Sequence, residues 1–357
     1  MTKDKAKKKQ AIAEAMNAEL VSSDGAVVQR TFWERNRLTN GYLLRRKIGA
    51  VFISVTRAIL LFGLCFLILQ PLLNKISVSF MEEEDLYNPI VISIPLHPTI
   101  ENYTISAEIM NYKTGLITSI IVSLLASIIQ VSMTTLVGYG FARFKFPLKK
   151  LWFAFVMLLI MVPPQTVSTS LYLHFSTFDF LGIVSLIKGG PINLRSSAIP
   201  YLLMSLGCMG IKNGLYIYLV RQYFRNIPVD LEEAAYIDGC GTVKTFFRIM
   251  LPQAKPIITS CFLFAFVWQW TDGFYSRLFL SKFTLVSTSL STIVSSLGVF
   301  VARIQGGAAN AQVAISVSRS NQILSTGTLM IVAPVLVLYM FAQRQFVESL
   351  ASTGIKM

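Results

Sequence analysis

The chain has 357 residues, 54% of them hydrophobic and only 14% charged, with a mean hydropathy of +0.59. A soluble globule carries about 25% charged residues, so much of this chain is built to avoid water, and a membrane protein is the first reading. The net charge of +14 is spread in clusters between long apolar runs and forms no single basic face, which argues against nucleic acid and for loops that obey the positive-inside rule.

In chain order, residues 1–30 are polar and rich in lysine, which predicts a disordered tail or one held loosely at anionic lipid headgroups. No apolar region follows soon enough for a cleavable signal. Thr31 to Lys47 mixes Phe32, Trp33, Tyr42 and Leu43 with Arg35, Arg37, Arg45 and Arg46, which suits an interfacial helix. An uncharged apolar run of about 20 residues can cross a bilayer as a helix. Six candidates are predicted: Phe52 to Asn74 with Arg57 near its start, one within Thr114 to Ala142, one between Lys150 and Asp179, Ser197 to Val220 with Lys212 inside it, Ile257 to Thr271, and one between Arg319 and Arg344. Tyr275 to Ser325 is long, weakly apolar and rich in Ser, Thr and Gly; Leu285 to Val301 within it could pass for another span, but the region is read as an external excursion at the membrane edge. The expected fold class is therefore an all-α integral membrane protein with six transmembrane helices and both termini cytoplasmic. That orientation places 22 Lys/Arg on inner segments and 8 on outer ones. The acidic run Glu82, Glu83, Glu84, Asp85 then falls outside. The corresponding division is a basic tail and interfacial helix (1–50), a first span and external loop (51–110), a core (111–346) and a short cytoplasmic tail (347–357).

Four cysteines (Cys65, Cys208, Cys240, Cys261) lack CxxC spacing and read as small buried hydrophobes. With only His97 and His174, a metal centre is not expected.

The most informative stretch is Pro228 to Pro256, between the fourth and fifth predicted spans. Asp230 and Glu233 have capping-box spacing, which predicts a helix over Leu231 to Ile237. Asp238-Gly239 should end it, because glycine tolerates the left-handed conformation. Thr242 is positioned to cap a second short helix running through Phe246 and Phe247 to Met250, with Pro252 stopping it. The loop is thus expected to be a folded elbow, with Ala234-Ala235 giving a small-residue surface that another protein can approach closely.

The spacing Glu233-Ala234-Ala235, Gly239, Ile249, Leu251-Pro252 resembles the EAA signature of ABC importer permeases. Tyr139 to Pro147, Met161-Val-Pro-Pro-Gln165, Ile199-Pro200-Tyr201, Arg221-Gln222-Tyr223-Phe224, Trp268-Gln269-Trp270-Thr271-Asp272 and the Thr353 to Lys356 ending are similar to segments of the carbohydrate-uptake, maltose-permease-G-like branch. The resemblance implies a type I importer fold in a prokaryotic plasma membrane. It also implies a coupling role for Glu232, Glu233, Ala234, Ala235, Asp238, Gly239, Ile249, Leu251 and Pro252. In that family the elbow docks on a cytoplasmic ATPase dimer, Glu233 meeting a basic group there. A second homologous permease completes the pore, and an extracytoplasmic sugar-binding protein delivers a sugar or oligosaccharide. This chain has no GxxxxGK[ST] loop, so ATP and Mg²⁺ are expected on the partner, no cofactor is expected here, and the chain is not expected to be an enzyme. Candidate substrate-pathway residues are Gln165, Trp268, Gln269, Trp270, Asp272 and Tyr275, because sugars pair aromatic faces with planar polar groups. Lys212, expected inside the fourth span, should either snorkel to the interface or pair with an acid across a subunit boundary. The alternatives are an ABC permease for a non-sugar solute or a secondary transporter, and the latter lacks the internal repeat it would need.

Overall fold

The computed structural model describes residues 20–21, 27–28, 31–38, 41–306 and 313–354; for 344–354 only the helical backbone is described. Most of the expected lysine-rich tail and the last three residues of the chain lie outside the described residues. The contacts divide the chain into two units at Asn74/Lys75.

In the first unit, β1 (Leu20–Val21) and β2 (Val27–Val28) form a small antiparallel pair. Helix α1 (Phe32–Leu38) follows, as the aromatic and basic mixture predicts. The Asn36 side chain accepts the Leu44 N–H at 2.8 Å and so stitches α1 to the start of α2 (Tyr42–Phe80). The most apolar stretch of α2 is not buried at all. Side chains such as Phe62 (76% exposed) and Ile68 (75%) would be intolerable in water on a stable helix, and are ordinary against lipid.

The second unit takes over at Lys75, within α2, and continues with a 3₁₀ turn at Glu84–Tyr87. Then come α3 (Glu101–Ile109), α4 (Tyr112–Arg143), α5 (Lys149–Met161), α6 (Pro164–Ser176), α7 (Ile183–Lys188), α8 (Ile199–Leu206) and α9 (Asn213–Asn226). The elbow comprises α10 (Asp230–Ile237) and α11 (Thr242–Gln253), and the chain ends with α12 (Lys255–Trp270), α13 (Tyr275–Phe279), α14 (Val286–Ile304) and α15 (Val317–Gly354). Helix α4 is the central element and packs against α8, α9 and α12. Its buried face is small and polar, with Ser119, Ser123, Ser127, Gln130, Thr134 and Gly138, while Ile117, Ile121, Leu125 and Leu136 face outward. This pattern is inverted relative to a soluble helix. It suits a lipid-facing exterior around an interior held by close backbone approach and hydrogen bonds. A Cβ on Gly138 would stand 2.8 Å from Val220 Cγ1, so glycine there sets the α4–α9 separation.

Among the described residues, four helices are long and apolar enough to cross a membrane, or up to six if each bent pair is one span. Helices α2, α4 and α15 stand where the first, second and sixth spans were expected. The third is a pair: α5 and α6 meet at 102°, because Pro163 and Pro164 cannot continue the α5 ladder. The fourth expected span is not one helix. It breaks between Leu206 and Asn213, where Cys208 (φ 55°) and Lys212 (φ 62°) both adopt left-handed backbone. The expected membrane-edge excursion instead contains α14, 19 residues long and itself apolar enough to span.

Candidate functional site

The elbow is tied to α4 by one buried acid. The Glu232 side chain accepts a hydrogen bond from Tyr139 Oη at 3.1 Å and ion-pairs with Arg143 Nε at 3.2 Å. Both Arg143 and Glu232 side chains are about nine-tenths buried (9% and 7% exposed). Arg143 also donates to the Ile227 carbonyl at 2.7 Å, which fixes the strand of chain entering α10. Below, Phe246 packs on Tyr139 with ring centroids 4.8 Å apart, within a core that includes Phe224 and Met250. Tyr223 Oη donates to the Gln253 carbonyl at 3.0 Å and ties α9 to the end of α11.

Local structure departs from the expectation in three ways. Val229, not Asp230, precedes the first helical residue, and no side chain caps α10, so the capping box does not form. Thr242 begins α11 without capping it. Pro252 does not stop that helix: it sits in its last turn, beyond a π-helical stretch over Phe246–Met250, and the chain then bends by 75° into α12 at Ala254. Gly239 does end α10 as expected, at φ +78°, with the Cys240 N–H closing back on the Ala235 carbonyl at 2.9 Å.

The nine elbow residues consequently fall into two sets. Glu232 and Ala235 face inward and are buried, and Ile249 and Leu251 are half-buried against the α4–α9–α12 core. Glu233, Ala234, Asp238, Gly239 and Pro252 are exposed. The expected Ala234-Ala235 surface is therefore Ala234 alone. Around it stand apolar side chains left exposed by the described residues: Tyr236 (43% exposed), Ile237 (86%), Val243 (70%) and Phe247 (57%). An apolar patch of this kind, rimmed by polar groups, marks an interaction surface.

Of the six substrate-pathway candidates, four line one cavity of about 290 Å³. Gln165, Trp268, Asp272 and Tyr275 surround it together with Pro164, Ile211, Lys212, Thr271, Gly273 and Phe274. The Pro163-Pro164 bend and the α8–α9 break both open onto it, so the two helix interruptions shape its wall. Lys212 does not sit inside a continuous helix, and among the described residues of this chain it pairs with no acid. Its Nζ lies 5.0 Å above the Trp268 ring, a cation–π contact.

Asp272 lies at the cavity wall, yet its carboxylate is spent on the protein. One oxygen accepts the N–H groups of Phe274 (3.0 Å) and Tyr275 (3.2 Å), and the other accepts the N–H and hydroxyl of Ser276 (2.8 and 2.9 Å). It caps α13. Gln269 and Trp270 point away from the cavity. Trp270 Nε1 donates to the Ile331 carbonyl at 3.1 Å on α15. Gln269 donates to Gln130 Oε1 at 2.9 Å and accepts from Tyr201 Oη. Gln130 in turn donates to the Ile211 carbonyl at 2.6 Å and to Asn213, beside the α8–α9 break. This buried chain of Asn213, Gln130, Gln269 and Tyr201 escaped sequence reasoning. A lone glutamine among apolar residues gives no hint of which distant amide it will meet.

Residues 134–351 match the family described as "Binding-protein-dependent transport system inner membrane component". A probable ABC transporter permease of Pyrococcus horikoshii is 32% identical over 192 residues, 52% of this chain and 63% of that protein. The maltodextrin transport system permease of Streptococcus pneumoniae is 26% identical over 323 residues, 89% of this chain and all of the relative. A crystal structure of a bacterial ABC transporter involved in alginate import contains a chain that superimposes with a TM-score of 0.62 at 16% identity, covering 84% of this chain and 98% of that one. The fold is that of an ABC importer permease, and the chain belongs to the binding-protein-dependent transport system inner membrane component family, a pore-forming subunit and not an enzyme.

Proposed function

We propose that this chain forms half of the translocation pathway of an ATP-driven importer for a sugar or oligosaccharide, and that α10–α11 is its coupling elbow. The observation that carries this reading is the two-sided elbow. Glu232 locks its inner face to the end of α4, while Glu233, Ala234, Tyr236, Ile237 and Phe247 are presented outward. A force applied to that outer face passes through a buried ion pair and an aromatic core directly into α4, α9 and α12. ATP and Mg²⁺ belong to a separate cytoplasmic ATPase dimer. A second, homologous permease supplies the other half of the pore, and an extracytoplasmic binding protein delivers cargo.

The sugar assignment is supported by the maltodextrin relative and by the chemistry of the cavity. The Trp268 face suits the apolar face of a pyranose, and Gln165, Thr271 and Lys212 offer hydrogen bonds to hydroxyls. Asp272 and Tyr275 shape the wall instead of reading the cargo. Gln269 and Trp270 hold helices together.

The test is reconstitution with the partner ATPase of the transporter, comparing wild type with Glu233→Ala and Gly239→Pro. Both variants are expected to lose substrate-stimulated ATP hydrolysis while still inserting in the membrane. Full coupling in both would overturn the elbow assignment.

A further inference from the structure

Beside the elbow, three cations from two helices gather without an acid. Lys149 opens α5, while Arg221 and Arg225 lie on the last turns of α9. They are close enough for the charges of Arg221 and Arg225 to act repulsively on Lys149, and for Arg225 to act on Arg221. None of the three has a carboxylate within ion-pair distance among the described residues. The nearby buried acid, Glu232, is committed to Arg143 and Tyr139.

The cluster is built, not merely crowded. Phe141 contacts both Phe146 and Phe153, with ring centroids 5.5 and 5.7 Å away. The Arg221 guanidinium lies over the Phe153 ring, its carbon 4.0 Å from the centroid, and Nε donates to the Phe141 carbonyl at 3.4 Å. Lys149 Nζ is 5.9 Å from the Phe146 centroid and donates to the Phe144 carbonyl at 2.8 Å. The α9 dipole accounts for a cation at its C-terminus, but not for drawing Lys149 from another helix to the same place. Immediately beyond, Leu148, Leu151, Trp152 and Phe155 are exposed apolar side chains on the same segment of chain.

We propose that Lys149, Arg221 and Arg225 form a binding site for the phosphate of an anionic phospholipid. Convergent cations supply the counter-charge for a phosphodiester, and the apolar side chains of α5 accept the acyl chains next to it. A soluble phosphate offers the same charge but has nothing to lay against Leu151 and Phe155. An acidic segment of a partner protein would satisfy the cations but leave that apolar skirt unused.

The experiment is native mass spectrometry of the full-length chain, released from detergent after exchange into mixed phosphatidylglycerol and phosphatidylcholine. Wild type is expected to retain phosphatidylglycerol preferentially, and inorganic phosphate alone should not displace it. Arg225→Gln, an exposed position, should lower that retention about fivefold, and the Lys149→Gln/Arg221→Gln/Arg225→Gln variant should abolish the preference. Lys149→Arg should preserve it, which separates lost charge from lost folding. Equal retention of the two lipids by wild type, unchanged preference in the triple variant, or displacement by inorganic phosphate would each overturn the proposal.

Discussion

Glu232 shows how burial assigns work between two adjacent glutamates that sequence cannot tell apart. In the EAA resemblance both are coupling residues, and Glu233 is the one within the motif. In the fold Glu232 neutralises Arg143 in a site from which water is excluded, and Glu233 is exposed. Removing one partner of a buried pair strands the other, at a cost of about 3–5 kcal/mol. Glu232→Ala is therefore expected to lower the thermal unfolding midpoint in detergent sharply, whereas Glu233→Ala should leave it unchanged. Equal midpoints for the two variants would contradict this division. The same logic applies to Gln269. Replacing it with Leu leaves Gln130 Oε1 without its partner, at about 1–3 kcal/mol, while the Tyr201 hydroxyl keeps its contact with Asp272 at 3.4 Å.

Asp85 supplies a pH dependence on the loop following α2. The backbone N–H and ring of His97, then the Leu96 N–H, hold its carboxyl below the ordinary carboxylate range. A depressed carboxyl contributes stability that is complete above its unfolded value and lost as pH falls through the folded one. Protease nicking in residues 88–97 should therefore rise only under strong acidification, and Asp85→Asn should already be nicked near neutrality. Nicking of wild type and variant that is identical across the pH range would refute it.

At the level of elements, the helices most legible in sequence were those whose fate depends on composition alone. Long uncharged runs became α2, α4 and α15, because lipid requires length and apolarity and little else. The broken elements carried local signals that an apolar-run reading passes over: Pro163-Pro164 at one bend, and Gly207, Gly210 and Asn213, all poor helix formers, at the other. What the sequence does not show is the partner: Gln130 on α4 donates to the Ile211 carbonyl that the interruption frees. The elbow's existence was legible through Gly239 and the motif spacing. Its capping was not, because Asp230 entered the helix that it was expected to cap. The α4–α9 crossing gives a direct test. Gly138→Ala would force a methyl to 2.8 Å from Val220 Cγ1 and 3.2 Å from the Arg221 amide, and overpacking of this kind costs about 1–3 kcal/mol. A second change, Val220→Ala, should restore part of the lost stability, read as the unfolding midpoint. No rescue would mean that the close approach is not the source of the loss.

For the molecule as a whole, the cavity and the elbow share one scaffold. Helix α12 carries Trp268 at one end and follows the elbow's 75° bend at the other. A displacement of α10–α11 thus reaches the cavity wall through a single helix of 16 residues. This arrangement predicts that a cavity substitution such as Trp268→Ala lowers cargo uptake while leaving basal ATP hydrolysis by the assembled complex intact. Loss of both together would instead indicate a failure of assembly. Of the pathway candidates, Gln165 and Trp268 are chosen by residue chemistry, and both line the cavity. Sequence reasoning could not foresee that Asp272 would be consumed as a helix cap, which depends on the Ser276 backbone lying in reach.

The bare flank of α2 has a consequence for how a cell makes this protein. Its apolar stretch leaves the ribosome before nearly all of the second unit has been synthesised, and it finds no shelter in the described parts of its own chain. Such a segment would clump with its neighbours if released into the cytosol. Delivery to the translocation machinery must therefore begin while translation is still under way, and copies that miss that moment become material for proteolytic clearance.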